Sequence, residues 1–161
     1  MRLADVTPGT AVIAFSRRDV LAIKAELEHQ FTVAVIYGNL TPEVRREEAR
    51  RFRTGEAQVL VATDSIALGL NLPIETVLFS TLQKWDGEGD VQLEPWQILQ
   101  IGGRAGRYGH REHGHVGAMD PRDARRIQAV FDPAYELPPR AHRGDRNPAG
   151  RAAGWQRHWP S

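Results

Sequence analysis

The segment from Gln100 to Gly109, Gln-Ile-Gly-Gly-Arg-Ala-Gly-Arg-Tyr-Gly, holds the residues best suited to chemistry. Arg104 and Arg107 stand three positions apart, with only small residues between them. On a helical or turn backbone this spacing brings both guanidinium groups to one side, and the small residues leave room for a phosphate-bearing partner. Arginine stabilises charge that develops on a transferred phosphoryl group, because its charge is permanent and its fork is bidentate. Spacing alone leaves a second interpretation open, a glycine-rich loop with solvated arginines.

A second group of polar residues follows an apolar run. Val59-Leu-Val-Ala62 predicts a buried strand that delivers Thr63 and Asp64 to its carboxyl end, where ligands meet open α/β sheets. A short helix predicted from about Ser65 leaves its first amide groups free to hold a phosphate, and Gly69 gives the backbone room. The alternative for Thr63 and Asp64 is an ordinary helix cap.

Short apolar runs alternate with amphipathic segments along most of the chain. Strands are predicted at 11–15, 32–36, 59–62, 76–79 and 115–118, and helices at 17–30, 42–53, 94–102 and 121–130. The inner side of the first helix is predicted to consist of Val20, Leu21, Ile23 and Leu27. Between 81 and 93 the pattern is lost, and 86–90 predicts a turn or hairpin tip. The alternation predicts an α/β fold with a parallel sheet and helices on both faces.

The arginine segment resembles motif VI of superfamily-two helicases, Gln-x-x-Gly-Arg-Ala-Gly-Arg. The segment that runs from Val59 to Pro73 is similar to motif V of the same proteins. The resemblance implies that Arg104 and Arg107 act as fingers on the γ-phosphate of ATP held by another RecA-like domain. It also implies that the nucleotide lies near Gln100, Gly69 and Asn71.

Two further matches concern nucleic acid. Phe15-Ser16-Arg17 resembles motif IV, where a strand end and the following helix meet a phosphate of the bound strand. Val35-Ile-Tyr-Gly38 resembles the next strand-to-loop element of the same domain. The resemblance implies a nucleic-acid-binding set that comprises Ser16, Arg17, Gly38, Thr63 and Asp64. Within this set, Thr63 is expected near the nucleic-acid backbone and Asp64 in the contact network between domains.

One branch of the superfamily fits better than the rest. The segment from Ser80 to Pro95 looks like the hairpin-plus-Leu-Glu-Pro insertion of mitochondrial degradosome RNA helicases and their bacterial relatives. The resemblance implies a RecA-like domain of the P-loop-NTPase type within an ATP-dependent helicase that acts on RNA (or DNA) with 3′-to-5′ polarity. Its partners are then single-stranded nucleic acid, preferably RNA, and an N-terminal RecA-like helicase domain in cis or in trans.

The motifs that hold ATP and magnesium are missing from the sequence. There is no G-x-x-x-x-G-K-[ST] loop and no Asp-Glu box. ATP and Mg²⁺ are therefore expected to be held mainly by a domain absent from this chain, and the chain alone should not hydrolyse ATP. An alternative is a stand-alone RecA-like module that binds RNA or a partner protein without catalysis. A small-molecule Rossmann enzyme fits poorly, because the first strand-to-helix turn lacks G-x-G-x-x-G.

Composition sets broad limits on the protein. Cysteine is absent, which excludes disulfides and thiolate metal sites. No apolar run approaches the roughly 18–20 residues of a membrane span, and no secretory signal is recognisable. We therefore expect a cytoplasmic protein with no membrane partner.

The histidines His110, His113 and His115 favour a solvated loop, and no metal site is expected. The net charge of +1 means that any polyanion contact must come from local arrangement.

The chain changes character near residue 132. Residues 1–131 are predicted to form the RecA-like helicase C-terminal domain. Residues 132–161 are rich in proline and arginine and nearly free of aliphatic side chains, which predicts a disordered tail. Two interpretations of the tail stay open, a linker at a domain end, which we favour, and an arm of arginine and tryptophan that touches RNA.

Overall fold

The computed structural model describes residues 2–64, 71–85, 87–105, 115–132 and 134. Its strands are Thr10–Ile13 (β1), Val33–Ile36 (β2), Val59–Ala62 (β3), Thr76–Phe79 (β4), Gln83–Trp85 (β5), Asp90–Gln92 (β6) and His115–Ala118 (β7). Its α-helices are Arg17–Leu27 (α1), Pro42–Arg53 (α2), Pro95–Gly102 (α3) and Pro121–Phe131 (α4), and a 3₁₀ helix covers Leu3–Asp5. The short helix predicted from Ser65 lies outside these residues, as do Gly69, Arg107, His110 and His113.

Five strands form one parallel sheet in the order β2-β3-β1-β4-β7. Because all five run in the same direction, their last residues lie along one edge, here named the carboxyl edge, and their first residues lie along the amino edge. The two remaining strands, β5 and β6, form an antiparallel hairpin between β4 and α3.

Alternate residues of the strands β1 to β4 enter two separate hydrophobic clusters. Ala11 and Ile13 of β1 pack on the side that holds α2, α3 and α4, whereas Val12 packs on the side that holds α1. The four strands β1 to β4 are buried at every position, as expected when helices cover both faces of a parallel sheet. The predicted α/β class with a doubly covered parallel sheet is therefore confirmed.

Side-chain caps and prolines mark the starts of the helices. The hydroxyl groups of Ser16 and Thr41 accept hydrogen bonds from backbone amides in the first turns of α1 and α2. Proline occupies the first turn of α2, α3 and α4, where its missing N–H leaves no unmade hydrogen bond. Within the described ranges, no helix combines the length and the apolar character that crossing a bilayer needs.

Some sequence predictions are wrong in detail. The first strand ends at Ile13 and not at Phe15, and α1 ends at Leu27 and not at residue 30. Leu21 was expected on the inner side of α1 but is 43% exposed. The helical repeat explains this, because each residue turns by about 100° and Leu21 therefore falls off the face shared by Val20, Ile23 and Leu27.

Candidate functional site

The predicted nucleic-acid residues follow three neighbouring strands at the carboxyl edge. Ser16 and Arg17 follow β1, Gly38 follows β2, and Thr63 and Asp64 follow β3. Because β2, β3 and β1 are adjacent in the sheet, these five residues, here named the strand-end group, lie on one continuous stretch of that edge. Open α/β sheets bind ligands at this edge.

Backbone hydrogen bonds hold the first residues beyond the strands. The amide of Thr63 donates to the carbonyl of Ile36 at 3.1 Å, and the amide of Ala14 donates to the carbonyl of Ala62 at 2.9 Å. Ser80 donates to the carbonyl of Ile13 through both its amide and its hydroxyl, at 2.9 and 2.7 Å. The sheet ladder therefore continues past the strand ends and fixes where the strand-end group begins.

Side chains outside the predicted set also position it. The guanidinium carbon of Arg17 lies 5.7 Å from the centre of the Tyr37 ring, which is a cation–π distance. One guanidinium nitrogen of Arg45 in α2 donates to the carbonyls of Tyr37 and Gly38, both at 3.3 Å. These contacts tie α1 and α2 to the loop that follows β2. Sequence reasoning missed Arg45, which belongs to no recognisable motif, and gave no role to Tyr37, although that residue lies within the quoted segment Val35-Ile-Tyr-Gly38.

An ion pair joins Asp64 to the hairpin. The ammonium group of Lys84 in β5 donates to Oδ2 of Asp64, and the two side chains are only 9% and 17% exposed. Among the residues that the structure describes, Lys84 is the one charged residue in the buried class. The contact fixes the hairpin against the end of β3. Only the alternation of β5, which points one residue inward between two outward ones, could have drawn attention to Lys84.

The predicted nucleotide residues lie elsewhere on the domain. Gln100 is in the last turn of α3, Arg104 follows in the turn beyond that helix, and Asn71 is exposed in the segment that leads to β4. A Cβ atom on Gly102 would lie 2.7 Å from Cζ of Phe131 and 3.2 Å from Cγ1 of Val116. The end of α3 is thus pressed against α4 and the first half of β7, on the side of the amino edge.

The α3 region holds polar atoms that the described part of the chain does not satisfy. Side-chain Nε2 of Gln97 and Oε1 of Gln100 are buried and have no hydrogen-bond partner among the described residues. Such atoms are uncommon in folded domains, because each costs free energy relative to its hydrated state. Arg104 is half-buried, and its amide donates to the carbonyl of Ile101 at 3.1 Å. We name Gln100, Arg104 and the residues between them the α3 turn.

The structure therefore divides the predicted site residues into two places. It brings Ser16, Arg17, Gly38, Thr63 and Asp64 to one edge and places Gln100, Arg104 and Asn71 away from that edge, whereas Gly69 and Arg107 lie outside the described residues. Across the described ranges, no three histidine or carboxylate side chains are grouped so that they could hold a metal ion.

Solved structures with the same architecture include domains of the DEAD-box protein Dbp5. The C-terminal domain of the DEAD-box protein Dbp5 superposes with a TM-score of 0.60, covering 78% of this chain and 68% of that one at 20% identity. Dbp5 L327V of Saccharomyces cerevisiae, bound to RNA and ADP BeF₃, gives a TM-score of 0.62 over 80% of this chain and 33% of that one, also at 20% identity. This likeness establishes a RecA-like fold.

Curated relatives are more similar in sequence. The mitochondrial ATP-dependent RNA helicase SUV3 of Saccharomyces cerevisiae is 46% identical over 105 residues, which cover 64% of this chain and 14% of the relative. The mitochondrial DExH-box ATP-dependent RNA helicase DExH16 of Arabidopsis thaliana is 43% identical over 110 residues, covering 66% and 19%. This chain thus spans less than a fifth of the length of either relative.

These relatives correct one expectation. The predicted cytoplasmic location is wrong on this comparison, because the similar proteins are mitochondrial helicases. Absence of cysteine could not have separated the two locations, since it excludes only the chemistry of thiols.

The family itself follows from a direct match. The model of the helicase conserved C-terminal domain covers residues 1–109, more than half of the chain, and includes every residue of the predicted site. With the SUV3 helicases among the similar proteins, the degradosome branch suggested by the hairpin segment is confirmed. The chain belongs to the helicase conserved C-terminal domain family.

Proposed function

We propose that this chain is the C-terminal motor half of an ATP-dependent RNA helicase, and that it supplies arginine fingers and part of the nucleic-acid track. One observation carries the proposal. This chain belongs to the helicase family and has Arg104 in its α3 turn, yet its sequence contains no phosphate-binding loop. An arginine finger acts on a nucleotide that a second domain holds, so such a half needs no P-loop.

In this proposal Arg104 and Arg107 act at the γ-phosphate. Each guanidinium group neutralises charge on the phosphoryl oxygens as the terminal phosphate is transferred to water. Gln100 orients groups at the same site, and Gly69 and Asn71 border the nucleotide. Oε1 of Gln100, which has no hydrogen-bond partner among the described residues, supports this assignment, because a buried acceptor of this kind suits a site that another domain completes.

ATP and Mg²⁺ belong to the N-terminal RecA-like domain, in cis or in trans. MgATP supplies the phosphoryl group whose transfer drives the motor. The described residues of this chain contain no cluster of metal ligands. We assign the arginines to this chain and the metal to the other domain, because this sequence has no Asp-Glu box.

The strand-end group forms the RNA track in this proposal. Hydroxyls of Ser16 and Thr63, backbone amides and the guanidinium of Arg17 bind phosphates of a single strand. Gly38 leaves open space, since a Cβ atom added there would meet nothing within 4 Å. Asp64 orients the end of β3 through Lys84 and contributes to contacts between the two domains.

We also propose a domain boundary after α4. That helix ends at Phe131, and its buried residues Ile127 and Val130 complete the cluster beneath α3. Residues 132–161, of which only 132 and 134 are among the described residues, are then the predicted tail outside this domain.

The test replaces the corresponding domain of the yeast SUV3 helicase with this chain and measures RNA-stimulated ATP hydrolysis. Arg104→Ala should lower kcat about 1,000-fold or more, as expected for a lost arginine finger. Arg46→Ala, which removes an exposed arginine from α2, should leave kcat unchanged. Far-ultraviolet circular dichroism checks that both variants fold. A kcat for the Arg104→Ala variant within threefold of the parent's would show that Arg104 is not an arginine finger.

A further inference from the structure

A groove lies between the first turn of α1 and the β5–β6 hairpin. Its volume is about 510 Å³, within the roughly 300–1,000 Å³ range of small-molecule sites. Ser16, Arg18 and Asp19 line one side, and Trp85 and Asp90 line the other. The groove therefore adjoins Ser16, a member of the strand-end group, and extends the carboxyl edge toward the hairpin.

Trp85 is presented to this groove by the way the hairpin is anchored. Its side chain is 62% exposed, the largest value among the large hydrophobic residues that the structure describes. Neighbouring Lys84 points to the opposite face of the strand and is held there by Asp64. The ring of Trp85 cannot turn inward unless that buried ion pair breaks. The fold thus holds an indole in water, where its exposed apolar surface costs free energy.

The charges of the groove favour a base over a phosphate. Two carboxylates, Asp19 and Asp90, face one guanidinium group, that of Arg18. This balance repels a phosphate but offers acceptors to N–H donors. Carboxylates accept from the exocyclic amino group of cytosine, and an aromatic ring stacks on any base.

We propose that this groove holds one nucleobase of the single strand, stacked on Trp85 and hydrogen-bonded through its amino group to the groove carboxylates. The proposal rests on the proposed function, because the phosphates on either side of that base are those of the RNA track. Lys84 acts as a positioning residue, since it holds the hairpin wall of the groove in place.

The test titrates the 161-residue chain into a fluorescently labelled single-stranded oligoribonucleotide and follows anisotropy. Trp85→Ala should weaken binding about tenfold, within the loss expected for one base stack. Trp85→Phe keeps an aromatic face and should remain within about threefold of the parent. Val44→Ala removes exposed apolar surface from α2, outside the groove, and should leave the affinity unchanged.

Base composition gives a second readout on the same chain. Oligo(C) should bind more tightly than oligo(U), because uracil lacks the exocyclic amino group that the carboxylates accept. Equal affinities would overturn the assignment of the carboxylates.

The outcomes separate this proposal from the proposed function. One outcome is that the parent chain binds RNA with an affinity that Arg17→Ala lowers and Trp85→Ala does not. That result would overturn the proposed base site and would still agree with the proposed RNA track. A parent chain that binds no oligonucleotide would overturn both.

Discussion

The strand-end group and the α3 turn are two kinds of site within one small domain. The strand-end group is satisfied from inside the chain, through the Lys84–Asp64 pair, the stacking of Arg17 on Tyr37 and the two carbonyls held by Arg45. At the α3 turn and one helical turn before it, two buried polar atoms, Oε1 of Gln100 and Nε2 of Gln97, have no partner in the described part of the chain. We infer that the first is a surface complete in itself, whereas the second is half of a site.

The difference separates stability from activity. Residues that complete a surface from inside contribute to the free energy of unfolding, because their partners are already present. A residue that serves another domain contributes little to the isolated fold. Substitutions in the two regions should therefore move different measurements, and the predictions below run from the largest expected effect to the smallest.

The largest effect on stability is expected at Lys84. Lys84→Met leaves the carboxylate of Asp64 in a mostly buried place without its cation, and should lower the free energy of unfolding by about 2–3 kcal/mol, somewhat less than the 3–5 kcal/mol typical of fully buried pairs. Urea denaturation measures the change. Adding Asp64→Asn should recover part of the loss, because the uncompensated charge is removed.

The only other lysine supplies the matched control for that experiment. Lys24 pairs with Glu28 across one turn of α1, and the two side chains are 34% and 49% exposed. Lys24→Met should therefore cost no more than about 0.5 kcal/mol. Equal losses of unfolding free energy at Lys24 and Lys84 would show that the Lys84–Asp64 pair does not stabilise the fold more than a surface pair does. That result would contradict the difference that we infer between the two regions.

A smaller loss of stability is expected at Gly102, which sets the α3 turn. Gly102→Val places methyl groups where Phe131 and Val116 already lie, and overpacking of this kind costs about 1–3 kcal/mol. In the SUV3 chimera it should also lower ATP hydrolysis, because the turn that carries Arg104 is displaced. Gly117→Ala meets nothing within 4 Å and serves as control. Full ATPase activity of the Gly102→Val chimera would show that ATP hydrolysis does not depend on how α3 packs against α4 and β7.

The smallest effect is expected at Asp120, a strand-end residue that we assign to structure alone. Its carboxylate caps α4, and the backbone amide of Arg122 lowers its pKa below the ordinary value of 3.8. A depressed pKa stabilises the fold above the unfolded pKa, and this contribution is lost as the pH falls below about 4.

Asp120→Asn should keep the cap, since asparagine caps helices about as well as aspartate. It should also make unfolding slightly less sensitive to acid between about pH 4 and pH 2, measured by circular dichroism. RNA affinity should stay at the parent value. A clear fall in RNA affinity would place Asp120 in the track and enlarge the strand-end group.

The sequence predicts the parts of the molecule that depend on local chemistry. Apolar runs identified the five parallel strands, and the helix predicted at 42–53 is present as α2 with the same bounds. The strand-end group could be predicted in the same way, because each member stands within four residues of a strand's last position. Parallel pairing then brings these positions to one edge without further information.

Contacts between distant segments could not be predicted from the sequence. Lys84 and Asp64 are 20 positions apart, and their pairing depends on how the hairpin folds back onto the sheet. The close approach of Gly102 to Phe131 depends on the packing of α3 against α4. Leu21 shows the reverse error, a hydrophobic residue placed in the core by type when the helical repeat turns it outward.

The central claim is that the α3 turn is half of a site, and calorimetric titration of MgATP into the isolated chain tests it most directly. A half-site makes too few contacts to hold the nucleotide, so we predict no saturable binding up to about 1 mM. The SUV3 chimera, which carries the ATP-binding domain, should bind in the same buffer. A dissociation constant below about 10 µM for the isolated chain would contradict the account, because the nucleotide site would then lie within this domain.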